Sequence, residues 1–383
     1  MITADNPSPR CVCLYSYNIY HLFTPEQELG TGGSERQLYE LGSRLQKRGL
    51  EVVYLVGDFG QPDEEWRDGF RFVKALSRDA GHPVRKLRFL WNALSMTKAD
   101  VFLERGSSEW TFWLSLFSRF HHRVFIFCGA SDVNFIREAI DPVFSSRVKR
   151  SLYFFGLRHA SSIVVQKESQ RTLVARTFGK GSTVIRSFLL SSHVGNSVQK
   201  ASDVIWVGNL IPYKQAEIVF ELAEGLKEYR FVMIGGARDR GYFEAMKEKA
   251  RGHPNLDFLG FIPFKDVESY ICRSKILINT TAVNGRFEEG FPNTFLQAWM
   301  AAIPVVSLKS DPDRILMRHS IGRCSGSVGK MSLDLREILN DEALRKQMGE
   351  RGRAYVLGEH DNEKIEGNYI TLMAPGSLRR GAI

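Results

Sequence analysis

Cys11-Val12-Cys13-Leu14-Tyr15-Ser16-Tyr17-Asn18-Ile19 and Val204-Ile205-Trp206-Val207-Gly208 are the two stretches on which the fold turns. Each is a short β-branched or aromatic run that gives way to a glycine-containing loop and then to a helical pattern, as a strand opening an α/β unit does. After the first, the loop ends at Gly32-Gly33 and a helix is expected from Ser34. After the second, Gly208 turns the chain and a helix is expected from about Lys214. A chain of 383 residues has room for two domains at roughly 150 residues each. The two openings therefore imply an α/β protein of two Rossmann-like halves.

Outward from the first opening, Ser34 and Gln37 read as an S-x-x-Q capping box, and Leu38, Leu41 and Leu45 recur at core-facing spacing before Gly49 ends the helix. Strand Glu51–Val56 follows, with further strands expected at 101–103, 123–127 and Ser162–Val165, and a helix at Arg147–His159. The second half repeats the alternation, with strands at 204–207, Phe231–Ile234, 256–259, 276–279 and Val305–Ser307. Strand and helix alternate throughout, which argues for a parallel sheet in each half. The expected domains are 1–190 and 203–360, joined by a Ser-rich, aperiodic linker at 191–202. Residues 361–383 are expected to form a helix that crosses back to the first domain, and a tail.

Composition narrows the class. No run of about 18 apolar residues appears, so no membrane span is expected. The polar start with Pro7 and Pro9 does not read as a signal peptide. The five cysteines are scattered without ligand spacing and read as structural thiols of a reducing compartment. A cytoplasmic protein is expected. The formal charge of +9 is concentrated in residues 101–200, where 14 Lys and Arg face 6 Asp and Glu. Such an excess suits an acidic substrate or an anionic membrane, and no nucleic-acid motif accompanies it. The basic, apolar stretch Arg85-Lys86-Leu87-Arg88-Phe89-Leu90-Trp91 is suited to peripheral docking at the inner face of the cytoplasmic membrane or on a lipid-linked acceptor. The aromatic run 110–117 reads instead as a core helix.

Two blocks carry chemistry. In Glu288-Glu289-Gly290-Phe291-Pro292-Asn293-Thr294-Phe295-Leu296-Gln297-Ala298-Trp299, Pro292 suits the first turn of a helix. Backbone N–H groups around Phe291 to Thr294 would then meet phosphate or sugar oxygens at the positive dipole end. Glu289 would hang before that helix and Gln297 sit a turn inside it, both facing one ligand. In Trp206-Val207-Gly208-Asn209-Leu210-Ile211-Pro212-Tyr213-Lys214, the lysine is placed to neutralise a diphosphate leaving group, and Gly208 lets backbone approach it.

These blocks, taken in order with others, resemble the GT-B glycosyltransferases of family GT4 over nearly the whole chain. The resemblance is carried in the first half by Gly32-Gly33-Ser34-Glu35-Arg36, Ala99-Asp100-Val101 with Arg105-Gly106, and Gly156-Leu157-Arg158 with Val164-Val165-Gln166. In the second half it is carried by Val207-Gly208 with Lys214, Ile234-Gly235-Gly236, Phe258-Leu259-Gly260-Phe261-Ile262, and Glu289-Gly290-Phe291 leading to Pro304-Val305-Val306. It implies two Rossmann-like domains facing a central cleft, and a retaining, metal-independent transferase with no cofactor, moving a hexose-type sugar from a nucleotide-diphosphate sugar to a glycan or lipid-linked acceptor. UDP is the commonest family donor base and GDP the second, and polysaccharide or glycoconjugate synthesis is the usual setting. Lys214, Glu289 and Asp132 are the implied catalytic residues. The implied donor contacts are Gly32, Gly33, Gly208, Asn209, Lys214, Gly235, Phe261, Ile262, Glu289, Gly290, Phe291, Pro292, Asn293, Thr294 and Gln297.

Three positions depart from the family pattern. Gln297 stands where a second Glu usually contacts the ribose, Asn209 where an arginine usually accompanies the lysine, and the stretch 128–132 lacks the usual histidine, Asp132 being the nearest polar side chain. These departures keep a second reading in view, a catalytically weakened or inactive sugar-nucleotide-binding partner protein. A dehydrogenase is disfavoured because the glycines at 235, 236 and 241 do not follow G-x-G-x-x-G. An epimerase would need an acid/base set that the chain does not display.

Overall fold

The computed structural model describes residues 9–24, 32–75, 83–140, 144, 146–190, 199–283 and 290–374. It divides into two compact units, Met1–Phe188 with Asn362–Ile383, and Leu189–Asp361.

The first unit is built on strands β1 Cys11–Tyr15, β2 Glu51–Val56, β3 Glu64–Arg67, β4 Phe70–Lys74, β5 Val101–Arg105, β6 Val124–Cys128, β7 Ser162–Val165 and β8 Thr183–Val184, in the order β3-β4-β2-β1-β5-β6-β7-β8. β1 is buried along its whole length, as a central strand covered on both faces must be. It ends at Tyr15, and Ile19–Phe23 is a 3-10 turn, so the expected strand is shorter than its apolar run. Every pairing is parallel except β3 with β4. That pair is a hairpin closed by Asp68-Gly69, both at positive φ, and it corrects the expectation of a wholly parallel sheet.

The first helix runs Gly33–Lys47, and its cap differs from the S-x-x-Q reading. Gly32 is the N-cap, and its N–H donates to Glu35 Oε2 at 2.9 Å. Gln37 is instead buried and clamps the backbone of Phe188: Nε2 donates to its carbonyl at 2.8 Å and Oε1 accepts from its N–H at 2.7 Å. A buried amide satisfied at both ends outcompetes a cap that water can replace. Helix Trp110–Phe120 is a core helix, with Trp110, Leu114 and Phe117 buried. Helix Arg147–His159 crosses it closely because Gly156 has no side chain: a Cβ there would lie 2.7 Å from the Thr111 carbonyl oxygen. Helix Asn362–Met373 belongs to this unit and inserts the buried Glu366 between Arg44 and Arg48 of the first helix.

The second unit holds β9 Ser202–Val207, β10 Phe231–Ile234, β11 Leu256–Gly260, β12 Ser274–Asn279, β13 Val305–Ser307 and β14 Gly322–Cys324, all parallel, in the order β11-β10-β9-β12-β13-β14. Along β9, Val204 and Trp206 enter one apolar core and Ile205 the other, so both faces of the sheet are covered. Among the described residues no helix is long and apolar enough to cross a membrane. All five cysteines are free thiols. Burial pushes the Cys128 thiol up to about 12, which keeps it an unreactive core group.

Candidate functional site

In an open parallel sheet, ligands bind outside the carboxyl ends of the strands where the winding reverses. In the second unit that point lies between β9 and β12, because β10 and β11 continue from β9 on one side while β12, β13 and β14 lie on the other. The chain leaving β9 passes through Gly208 and the exposed Asn209 into a 3-10 turn, Pro212–Lys214. Lys214 therefore closes that turn and does not open a helix as expected. Gln215 adopts a left-handed conformation at φ 48°, which breaks the chain before helix Glu217–Gly225.

The turn is bolted to the end of β12. Trp206 Nε1 donates to the Thr280 hydroxyl at 2.9 Å, and that hydroxyl donates to the Lys214 carbonyl at 2.6 Å. The Ala282 N–H adds a bond to the Tyr213 carbonyl at 2.8 Å. The half-buried Lys214 ammonium lies 5.5 Å from the Tyr213 ring centroid. A cation is thus fixed by its backbone directly at the reversal point. Thr280 went unread in the sequence because a threonine ending an apolar run looks like any other strand residue.

Glycines line the same edge. Gly208 N–H donates to the Ile234 carbonyl, Gly235 N–H to the Gly260 carbonyl, and Leu210 N–H to the Gly236 carbonyl. A Cβ on Gly235 would lie 2.2 Å from the Gly208 oxygen and 3.1 Å from the Trp206 ring. The strand ends can meet this closely only without a side chain at 235. Beyond β11 the chain leaves through the exposed Phe261 and half-buried Ile262 at the same edge.

The helix between β12 and β13 brings the remaining predicted donor contacts to that edge by its N-terminus. It runs Asn293–Met300 with Pro292 as N-cap, one position earlier than the first-turn placement expected. Gly290 and Pro292 are buried, and Asn293 and Thr294 are half-buried. Phe291 packs near Trp299 and His360, with centroids 6.2 and 5.2 Å away. Gln297 is 3% exposed, and its amide makes no hydrogen bond among the described residues. Glu288 and Glu289 lie outside the described residues.

In the first unit, Gly32 and the exposed Gly33 open the helix after β1, and Asp132 follows β6. Asp132 is held firmly: Lys167, fully buried, reaches Oδ1 at 3.2 Å, and Gln170 Nε2 donates to the same oxygen at 3.0 Å. Neither partner stood out in the sequence, since a lysine beside a helix start reads as solvated. Glu104 near the end of β5 is 1% exposed and accepts from the Ser108 hydroxyl, while its Oε2 has no hydrogen-bond partner among the described residues. Burial raises its carboxyl to about 8, so at neutral pH it is a neutral acid.

Two largely parallel sheets, each wound in both directions from a reversal point, are the two Rossmann-like domains of the GT-B class. Residues 31–187 match the family model described as Glycosyltransferase Family 4, and residues 191–355 match Glycosyl transferases group 1. The chain belongs to the GT4 family of GT-B glycosyltransferases. It is similar to the lipopolysaccharide core biosynthesis glycosyltransferase LpsE of Rhizobium meliloti (strain 1021), at 20% identity over 174 residues, 45% of this chain. That match spans about half, 49%, of the length of the curated relative. Among solved structures it is similar to a sucrose-phosphate synthase from Thermosynechococcus elongatus, with a TM-score of 0.74 and 16% identity over 95% of this chain and 98% of the other. Anabaena Alr3699/HepE, solved in complex with UDP and glucose, gives 0.72 and 14% over 94% and 98%.

Proposed function

We propose that the chain is a retaining glycosyltransferase that moves a hexose-type sugar from a UDP-sugar to a glycan or lipid-linked acceptor, in cell-surface polysaccharide or glycoconjugate synthesis. The observation that carries this reading is the Lys214 turn, tied through Thr280 to the reversal point between β9 and β12. A cation fixed there meets a diphosphate at the point where the fold admits a ligand. The unpartnered Gln297 amide, on the helix that starts at the same edge, is offered to a ribose hydroxyl. The UDP and glucose bound in HepE and the assignment of LpsE to lipopolysaccharide core synthesis support the donor base and the setting.

In the proposed reaction the bond from the anomeric carbon to the diphosphate oxygen breaks, and a bond from that carbon to the acceptor oxygen forms on the same face. The acceptor proton passes to an oxygen of the departing diphosphate, so no carboxylate base and no metal is required. Lys214 offsets the charge that develops on the diphosphate, with backbone N–H groups at 291–294 adding to it. Glu289 is assigned to the sugar hydroxyls, Asp132 to the donor sugar, and Gly32-Gly33 to the loop over the sugar and phosphates. We place the enzyme in the cytoplasm, where free thiols such as these persist.

Thermal-shift screening against UDP, GDP, ADP and TDP and their sugar conjugates, with and without EDTA, tests the reading. Ligand that binds only the folded state raises the melting temperature by mass action. A shift with UDP compounds that EDTA leaves unchanged is the expected result, and no shift with any nucleotide at millimolar concentration would overturn it. Asn209 and Gln297, which lack the charges usual at their positions, favour one second reading, a donor-binding partner protein. Nucleotide binding without any donor turnover would establish that instead.

A further inference from the structure

We propose that the outer surface of helices Pro83–Met96 and Trp110–Phe120 is a docking surface for a bilayer containing anionic phospholipid. The proposal stands on the exposed side chains of the first unit and is independent of the donor reading.

Neither helix contains an Asp or Glu. Leu87 and Trp91 are four residues apart and so share one stripe of the first helix. Leu87 is 42% exposed, and Trp91 reaches across to Phe120 and His121, with ring centroids 5.9 and 5.7 Å apart. Phe120 is 70% exposed, the highest value among the large hydrophobic side chains of the described residues. An apolar ridge therefore runs from Leu87 through Trp91 to Phe120, and Trp91 is braced from below by Phe117 at 4.9 Å.

Cations share these two helices with the ridge. Arg85, Arg88 and Arg119 are exposed and make no ion pair among the described residues. Arg123, next along the chain, is paired with Asp100 at 2.7 Å. Unpaired guanidinium groups on the same two helices as the exposed Leu87 and Phe120 and the half-buried Trp91 match the boundary between anionic headgroups and acyl chains. A nucleic acid would answer the arginines but leave Leu87 and Phe120 without a role.

The full-length protein would be floated with phosphatidylglycerol-containing vesicles, with pure phosphatidylcholine vesicles, and titrated with a short duplex DNA. Binding to the anionic vesicles alone is expected. Each arginine is worth about fivefold in partitioning, so Arg85→Glu/Arg88→Glu/Arg119→Glu should weaken binding by about 100-fold or more. Leu87→Ser/Phe120→Ser should weaken it by about tenfold. All five positions are exposed, so unchanged melting temperature and nucleotide response would show that the fold survives. Wild-type indifference to phosphatidylglycerol, or unchanged vesicle binding by the arginine variant, would overturn the proposal. So would tight DNA binding lost with the arginines and indifferent to Leu87→Ser/Phe120→Ser, which would assign the patch to nucleic acid.

Discussion

Replacing Glu104 by Gln should make the protein more stable at neutral and alkaline pH, and the size of the gain follows from burial. The Glu104 carboxyl is raised from its ordinary 4.5 to about 8, because the side chain is buried and has only neutral hydroxyl neighbours. The unfolded chain releases this proton near pH 4.5 and the folded chain keeps it to about pH 8. The stability that goes with the protonated form is complete below about pH 4.5 and declines as pH rises through that window. Each pH unit costs about 1.4 kcal/mol, so the loss is on the order of 3 kcal/mol at pH 7 and levels off near 5 above pH 8. Gln keeps an oxygen for the Ser108 hydroxyl and has no proton to lose. Urea unfolding of the wild type and Glu104→Gln, followed between about pH 5 and pH 9, should give near-coincident curves at the acid end and a widening gap toward alkali. At roughly 2–4 °C per kcal/mol the gap near pH 8 is worth about 10 °C or more in melting temperature. A difference between the two proteins that does not change with pH would refute the reasoning.

Three further substitutions probe other parts of the structure. Gly235→Ala places a Cβ 2.2 Å from the Gly208 oxygen, so it should cost about 2 kcal/mol or more and weaken nucleotide binding. Unchanged melting and binding would show that the strand ends are not in close contact. Gln37→Ala strands the N–H and carbonyl of Phe188 and should cost about 2–3 kcal/mol by chemical denaturation. Gln297→Glu offers a charged acceptor where the unpartnered amide sits, and should tighten UDP binding about fivefold by calorimetry. Unchanged affinity would remove position 297 from the site.

Much of this architecture was legible because strands buried on both faces must be continuous apolar runs. Glu51–Val56, Ser162–Val165, Phe231–Ile234 and Val305–Ser307 start and stop where their runs do. What escaped notice was mostly polar or brief, although the largely buried β4, with Arg71 and Lys74 interrupting its apolar residues, was missed as well. Strand β3 reads Glu64-Glu65-Trp66-Arg67, with too little apolar character to declare itself, although the following Asp68-Gly69 is a hairpin signal. β8 and β14 are two and three residues long. The Ser34/Gln37 cap was misread because local spacing cannot reveal that Gln37 is claimed by Phe188, 151 positions away.

The candidate site divides the same way. Its glycines, its lysine and the Phe291-Pro292 helix start were readable, since each carries a local backbone requirement. The couplings that hold them, Trp206 to Thr280 to Lys214 and Lys167 to Asp132, join residues far apart in sequence. Only the sheet order brings those partners together. The turn at Lys214 is a further case, because a left-handed Gln215 has no strong signature in a glutamine.

Lys214 is proposed to meet a nucleotide diphosphate at the reversal point of the second sheet. Calorimetric titration of UDP into the wild type and Lys214→Ala tests that most directly. Loss of a charge-assisted contact worth about 1.5–3 kcal/mol should weaken the variant by roughly 10- to 100-fold, with its melting temperature without ligand unchanged. Equal affinity in the two proteins would contradict the account.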